Sequence, residues 1–138
     1  MVIYLLDTNV MSESSRPNSA NANVLLWMAT TPAEQTLVSV LSIGEVRQGV
    51  EKLRRKHPDR AQLLEVWLND TRARLIDRVV PVDEPVAQLW GRLSSGRSVP
   101  IIDTYLAATA LVHGLTVATR NTKDFAWTGV PTFDPFVG

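Results

Sequence analysis

Acidic and amide side chains recur at four places in this chain, each at the edge of an apolar run. Asp7 closes "VIYLL" (2–6), Glu45 sits in "SIGE", Asp103 follows "PII", and Asn121 and Asp124 lie in "TRNTKDF". Carboxylates brought to one place repel each other and raise each other's pKa values. A divalent cation removes that repulsion, and hard ions such as Mg²⁺ and Mn²⁺ prefer carboxylate and water oxygens. Zinc is disfavoured, because the chain has no cysteine and only His57 and His113 as nitrogen donors, with nothing to pair them.

Each residue also has a local explanation. Asp7 fits a turn residue whose carboxylate bonds nearby amides. Ser42 and Glu45 fit a capping box, with Ser42 at the N-cap. Asp103 fits a helix N-cap, and Asp124 a loop carboxylate. Separate caps do not explain why several acids should sit at equivalent ends of neighbouring strands.

That placement follows from the elements around them. "VIYLL" (2–6), "TLVSV" (36–40), "VVPV" (79–82) and "LTVAT" (115–119) read as strands, and "PTFDP" (131–135) as a last edge strand. Helices are predicted over 23–30, 42–56, 59–77, from Asp83 to near Ser94, and over 103–114. The third of these carries Leu63, Leu64, Trp67 and Leu68 on its apolar face. Asp83 reads as an N-cap with Pro85 in the first turn, Gly114 as a helix stop, and "RPNSANA" (16–22) as a loop. Strands that alternate with helices predict an α/β domain with a mostly parallel sheet. In such sheets functional groups gather beyond the carboxyl ends of the strands, which is where Asp7, Glu45, Asp103 and Asn121/Asp124 fall.

The stretches "LLDTNV", "SIGEVRQGV", "PIIDTYLAATALVHGLTVATRNTKDF" and the final "FDP" resemble PIN-domain ribonucleases, specifically the VapC/FitB-type toxins of toxin–antitoxin pairs. The likeness covers nearly the whole chain, and Pro100–Phe125 is its most specific part. It implies one PIN domain over 1–138, an α/β/α sandwich whose mostly parallel central sheet has four to five strands, and metal-dependent hydrolysis of RNA phosphodiesters. Asp7, Glu45 and Asp103 become the core acids. Asp7 and Asp103 would ligate Mg²⁺ or Mn²⁺, and Glu45 would ligate a second ion or orient the water. Either Asn121 or Asp124 completes the set. Thr8 and Asn9 would support the cluster or the substrate phosphate, Thr119 would help hold the site, and Arg120 would meet a phosphate. The likeness also implies a cognate antitoxin that blocks the acids, a homodimer, and a larger complex with the antitoxin.

Bulk properties agree with this and exclude other classes. The chain has 138 residues, 45% of them hydrophobic, enough for one domain that folds without disulfides. Formal net charge is zero, so a nucleic-acid surface must be local. "KLRRK" (52–56) is the densest basic run and suits a helix C-terminus. No stretch approaches the apolar length of a membrane span, and the start lacks the form of a secretion signal, so a cytoplasmic protein is expected. Nucleotide-binding readings fail for want of a glycine-rich phosphate loop. An aspartate-dependent phosphatase would want a second Asp where Asn9 stands. A silent interaction module of the same fold is the remaining alternative, and it has no need of mutually repelling acids.

Overall fold

The run "YLL" becomes the centre of the sheet. In a computed structural model that describes residues 1–16 and 18–137, the strands are β1 (Tyr4–Leu6), β2 (Thr36–Ser39), β3 (Val79–Val80), β4 (Thr116–Ala118) and β5 (Thr132–Phe133). Pro17, part of the expected loop 16–22, lies outside the described residues. The strand order is β3-β2-β1-β4-β5, and every pairing is parallel. Leu6 is level with both Val38 and Ala118, so β1 and β4 end together and β2 ends one residue later.

Alternation along the strands sorts the core. Leu5 and Val117 face one layer with Leu106, Ala107, Ala110 and Phe125. Leu6, Val38 and Ala118 face the other with Val24, Val46, Val50 and Leu68. The second layer holds α1 (Thr8–Met11), α2 (Ala22–Thr30), α3 (Val40–Arg54) and α4 (Pro58–Arg74); the first holds α6 (Ile101–His113) and α7 (Thr122–Phe125), with α5 (Glu84–Ser94) packed on α6. This is the expected α/β/α sandwich, with five strands.

Local chemistry sets most boundaries. Pro58 opens α4, where a missing N–H costs nothing. Asp83 caps α5 by accepting from the Val86 N–H at 3.1 Å, and Gly114 ends α6 in the left-handed region at φ 68°. Across the second layer Arg47 and Arg54 both reach Glu65, at 2.6 and 2.9 Å, and tie α3 to α4. Buried Glu13 accepts from the Asn21 N–H at 2.9 Å and closes the loop between them.

Three expectations need correction. The second helix begins at Val40 rather than 42, because Ser39 is its N-cap and accepts from the Leu41 N–H. Ser42 is therefore a buried interior residue, and its hydroxyl has no hydrogen-bond partner among the described residues. Asp103 is not an N-cap: α6 starts two residues earlier, behind Pro100, and Asp103 lies in its first turn. "VVPV" pairs only over Val79–Val80, since Pro81 has no N–H to continue the ladder.

The two glycines Gly114 and Gly91 make a matched test. Neither has an atom near the position a Cβ would take, but only Gly114 has positive φ. Gly114→Ala is expected to lower stability by about 1 kcal/mol, whereas Gly91→Ala, inside α5, raises it by about 0.5–1 kcal/mol. Urea denaturation of both variants checks the opposite signs.

Candidate active site

Because β1, β2 and β4 end within one residue of each other, whatever follows them shares one edge. Asp7 follows β1 directly, and its N–H donates to the Ala118 carbonyl at 2.9 Å, which fixes it beside the end of β4. The Asp7 side chain is buried, at 6% exposure. It accepts from the Thr8 N–H at 2.7 Å, from Thr119 Oγ1 at 2.7 Å and from Asn9 Nδ2 at 3.3 Å. Asp7 is thus both the N-cap of α1 and the centre of a small network.

The neighbouring residues complete that network. Thr8 Oγ1 donates to Glu45 Oε1 at 2.5 Å, which joins α1 to α3. Asn9 Oδ1 accepts from the Arg120 N–H at 3.3 Å, and Thr119 Oγ1 accepts from the Asn121 N–H at 3.0 Å. Asp103 and Asp124 stand in the first turns of α6 and α7. They line one narrow cleft of about 10 Å³ together with Thr104 and Trp127. Asn121 is the residue that precedes α7, and its side chain makes no capping bond.

The electrostatics follow from burial and like charge. Asp7 is raised above the ordinary carboxylate value, first by burial; its three donors pull it down, and the Asp124 charge adds to the rise. Asp103 is pushed up to about 6, first by burial and then by the charges of Asp7, Glu45 and Asp124. Among the described residues none of these four carboxylates is in an ion pair. The arginine beside them, Arg120, lies instead over the Phe136 ring, 3.9 Å from its centroid.

These donors have the chemistry of a hard-cation site. Among the described residues no three His, Asp or Glu side chains converge into a complete ligand group. Mg²⁺ does not require one, since it is commonly held by one or two carboxylates and keeps several waters. Unpaired carboxylate oxygens, a buried Asp7 and a cleft the size of one water fit such a hydrated ion.

Trp127 stands three positions after Asp124, and a short helix with a tight turn after it carries such a residue back to the same side. Trp27 packs on Tyr4 and Phe133, Trp90 stacks on Tyr105 at 4.6 Å, and Trp67 donates to Ser14. These three belong to the packing, as their positions on apolar helix faces indicate.

Comparison with known proteins adds a family. The model of the PIN domain matches residues 4–129. The chain is 36% identical to toxin FitB of Neisseria gonorrhoeae over 97% of its own length and 99% of the relative's. It is 30% identical to VapC ribonuclease Y4jK of Sinorhizobium fredii, covering 97% and 98% of the two chains. The crystal structure of FitAcB from Neisseria gonorrhoeae superposes with a TM-score of 0.88 at 34% identity, covering 99% of this chain and 100% of that one.

The raised Asp103 gives a pH test. Its folded-state value lies above its unfolded value, so folding favours the protonated form. The penalty of its charge is absent near pH 4, grows between about 4 and 6, and is complete above. In EDTA, Asp103→Asn is therefore expected to raise stability by about 1–2 kcal/mol at pH 7.5, after allowance for solvent screening. The gain disappears toward pH 4. Denaturation curves at both pH values read it.

Proposed function

The chain belongs to the PIN-domain family, and we propose that residues 1–138 act as one domain, the toxin of a toxin–antitoxin pair and a metal-dependent endoribonuclease. The observation that carries this is the set of carboxylates from Asp7, Glu45, Asp103 and Asp124 at one sheet edge, with no cation paired to them among the described residues. A fold gains nothing from assembling such a set for its own stability, because each added charge raises the cost of the next. The similarity to FitB and to a VapC ribonuclease supports the same reading.

Asp7 and Asp103 would hold Mg²⁺ or Mn²⁺, with Glu45 and either Asn121 or Asp124 completing the set directly or through water. A bound ion of this kind supplies Lewis-acid polarisation of the phosphate and a more acidic water. The protein's own work is positional. Thr119 and Asn9 fix the Asp7 carboxylate, with both hydrogen bonds going to Oδ2. Thr8 fixes Glu45 across the α1–α3 junction, where it can accept from a water. The Thr119 hydroxyl donates to Asp7 while it accepts from the Asn121 N–H, so one side chain couples β4, β1 and the start of α7. Arg120, freed from the acids by its place on Phe136, is the phosphate contact.

The antitoxin partner and the homodimer are part of the same proposal. Large apolar side chains are exposed on α4, at Leu63 and Val66, and on α6, at Ile101 and Val112. They supply surface for both contacts. No helix among the described residues is long and apolar enough to cross a membrane.

Purified, antitoxin-free protein is expected to cut cellular RNA into discrete fragments with Mg²⁺ or Mn²⁺ and to leave it whole in EDTA. Asp7→Ala/Asp103→Ala should lower the rate by at least about a hundredfold. Equal cleavage by that variant would assign the activity to a contaminant, and a folded protein that cuts no RNA would favour the silent module. Thr119→Val keeps the volume and removes the donor. It is expected to cost about 1–2 kcal/mol of stability at neutral pH and to raise the pH at which cleavage becomes half-maximal.

A further inference from the structure

Two arginines stand at the acidic site and neither neutralises it. Arg120 lies over Phe136. Arg97 lies over Trp127, 4.6 Å from the ring centroid, and Trp127 itself lines the cleft with Asp103 and Asp124. Among the described residues neither guanidinium is in an ion pair, although unpaired carboxylates stand one ring away. Both cations lie on aromatic faces instead, and of the two rings it is Trp127 that lines the cleft with the acids.

The Arg97–Trp127 pair differs from an ordinary packing contact in two ways. Arg97 is exposed, in the wholly exposed run 95–98 that follows α5, and among the described residues its side chain has no ion pair. Trp127 is half-buried, so part of its indole is open to solvent, and the backbone that carries it is anchored. Trp127 sits in the turn Ala126–Thr128 behind buried Phe125. Thr128 Oγ1 donates to the Phe125 carbonyl at 2.6 Å and accepts from the Val130 N–H at 3.2 Å. A half-buried aromatic face beneath an exposed cation, beside a site proposed for phosphodiester chemistry, matches the stacking platforms that hold unpaired bases.

We propose that Trp127 is a substrate-binding residue: an unpaired nucleobase next to the scissile phosphate stacks on the indole face now covered by Arg97, and the displaced guanidinium meets an adjacent phosphate. This rests on the ribonuclease reading above, and it requires the stacked base to be unpaired, because a base inside a duplex has no free face to offer. The cleft itself, at about 10 Å³, holds no more than a water or an ion, so the base belongs on the outer face.

The test is steady-state cleavage of a single-stranded RNA oligonucleotide in Mg²⁺, with intact RNA and with abasic sites placed singly on either side of the cut. Trp127→Ala is expected to raise KM about tenfold and to leave kcat within about twofold. Trp127→Phe should restore most of the loss, because a smaller ring still stacks. In the unaltered protein one abasic position should carry the same KM penalty, and that penalty should be absent in Trp127→Ala. Arg97→Ala should reduce the salt dependence of binding by about one counterion. If Trp127→Ala is poorly folded by thermal melting, the phenylalanine variant and the abasic series in unaltered protein carry the test. Cleavage with unchanged KM in Trp127→Ala, or abasic penalties equal in both proteins, overturns the platform and leaves the nuclease reading standing. An unaltered protein that cuts no RNA overturns both.

Discussion

Like charges held together at the level end of a parallel sheet are the constraint from which the rest of this structure can be understood. Asp7, Glu45, Asp103 and Asp124 come from four different elements, and the shared register of Leu6 with Val38 and Ala118 brings those elements to one edge. The fold tolerates the repulsion by giving each charge local support. Asp7 caps α1 and accepts three hydrogen bonds. Asp103 and Asp124 lie in first helical turns, where free N–H groups and the helix dipole favour negative charge. Glu45 is held by a hydroxyl from another helix. Among the described residues the fold supplies no ion-pair partner, and Asp103 is pushed up to about 6, first by burial and then by the charges of Asp7, Glu45 and Asp124.

The cations are placed elsewhere for identifiable reasons. Arg47 and Arg54 are committed to Glu51 and Glu65, which join α3 to α4 on the side of the sheet that carries the larger helical layer. These pairs are exposed and individually contribute little, but they keep arginines engaged away from the acids. Arg120 and Arg97, which do stand at the site, are turned onto rings. A net charge of zero is thus a spatial arrangement rather than an absence of field: a negative cleft with positive side chains held at its margin.

What the sequence made legible was whatever depends on short range or on period. The strand expected over 2–6 forms over Tyr4–Leu6, and the Asp83 cap and the Gly114 stop, each specified by two or three residues, stand where the residues predict. Convergence of the acids was legible too, because parallel strands with helical crossovers put all their carboxyl ends on one side. The start of α3 was not. Ser39 and Ser42 are both good N-caps, and only the packed strand before them decides that the chain turns at the first. Nor was the fate of Trp127 or Arg120 visible, since each is settled by a partner (Arg97, Phe136) that no local pattern links to it.

The same arrangement ties stability to occupancy. Neighbouring negative charge, which with burial raises the proton affinity of Asp103, also favours any positive species bound there, and linkage makes such binding stabilise the fold by an amount that grows with its affinity and concentration. A divalent ion and a basic side chain offered by a partner protein would draw on the same carboxylates and so must compete, whatever the details of either complex. An inhibitor of this site therefore has no need to unfold or distort the protein. It needs only to bring one positive charge to the edge where β1 and β4 end, and in doing so it would make the blocked protein more stable than the free one.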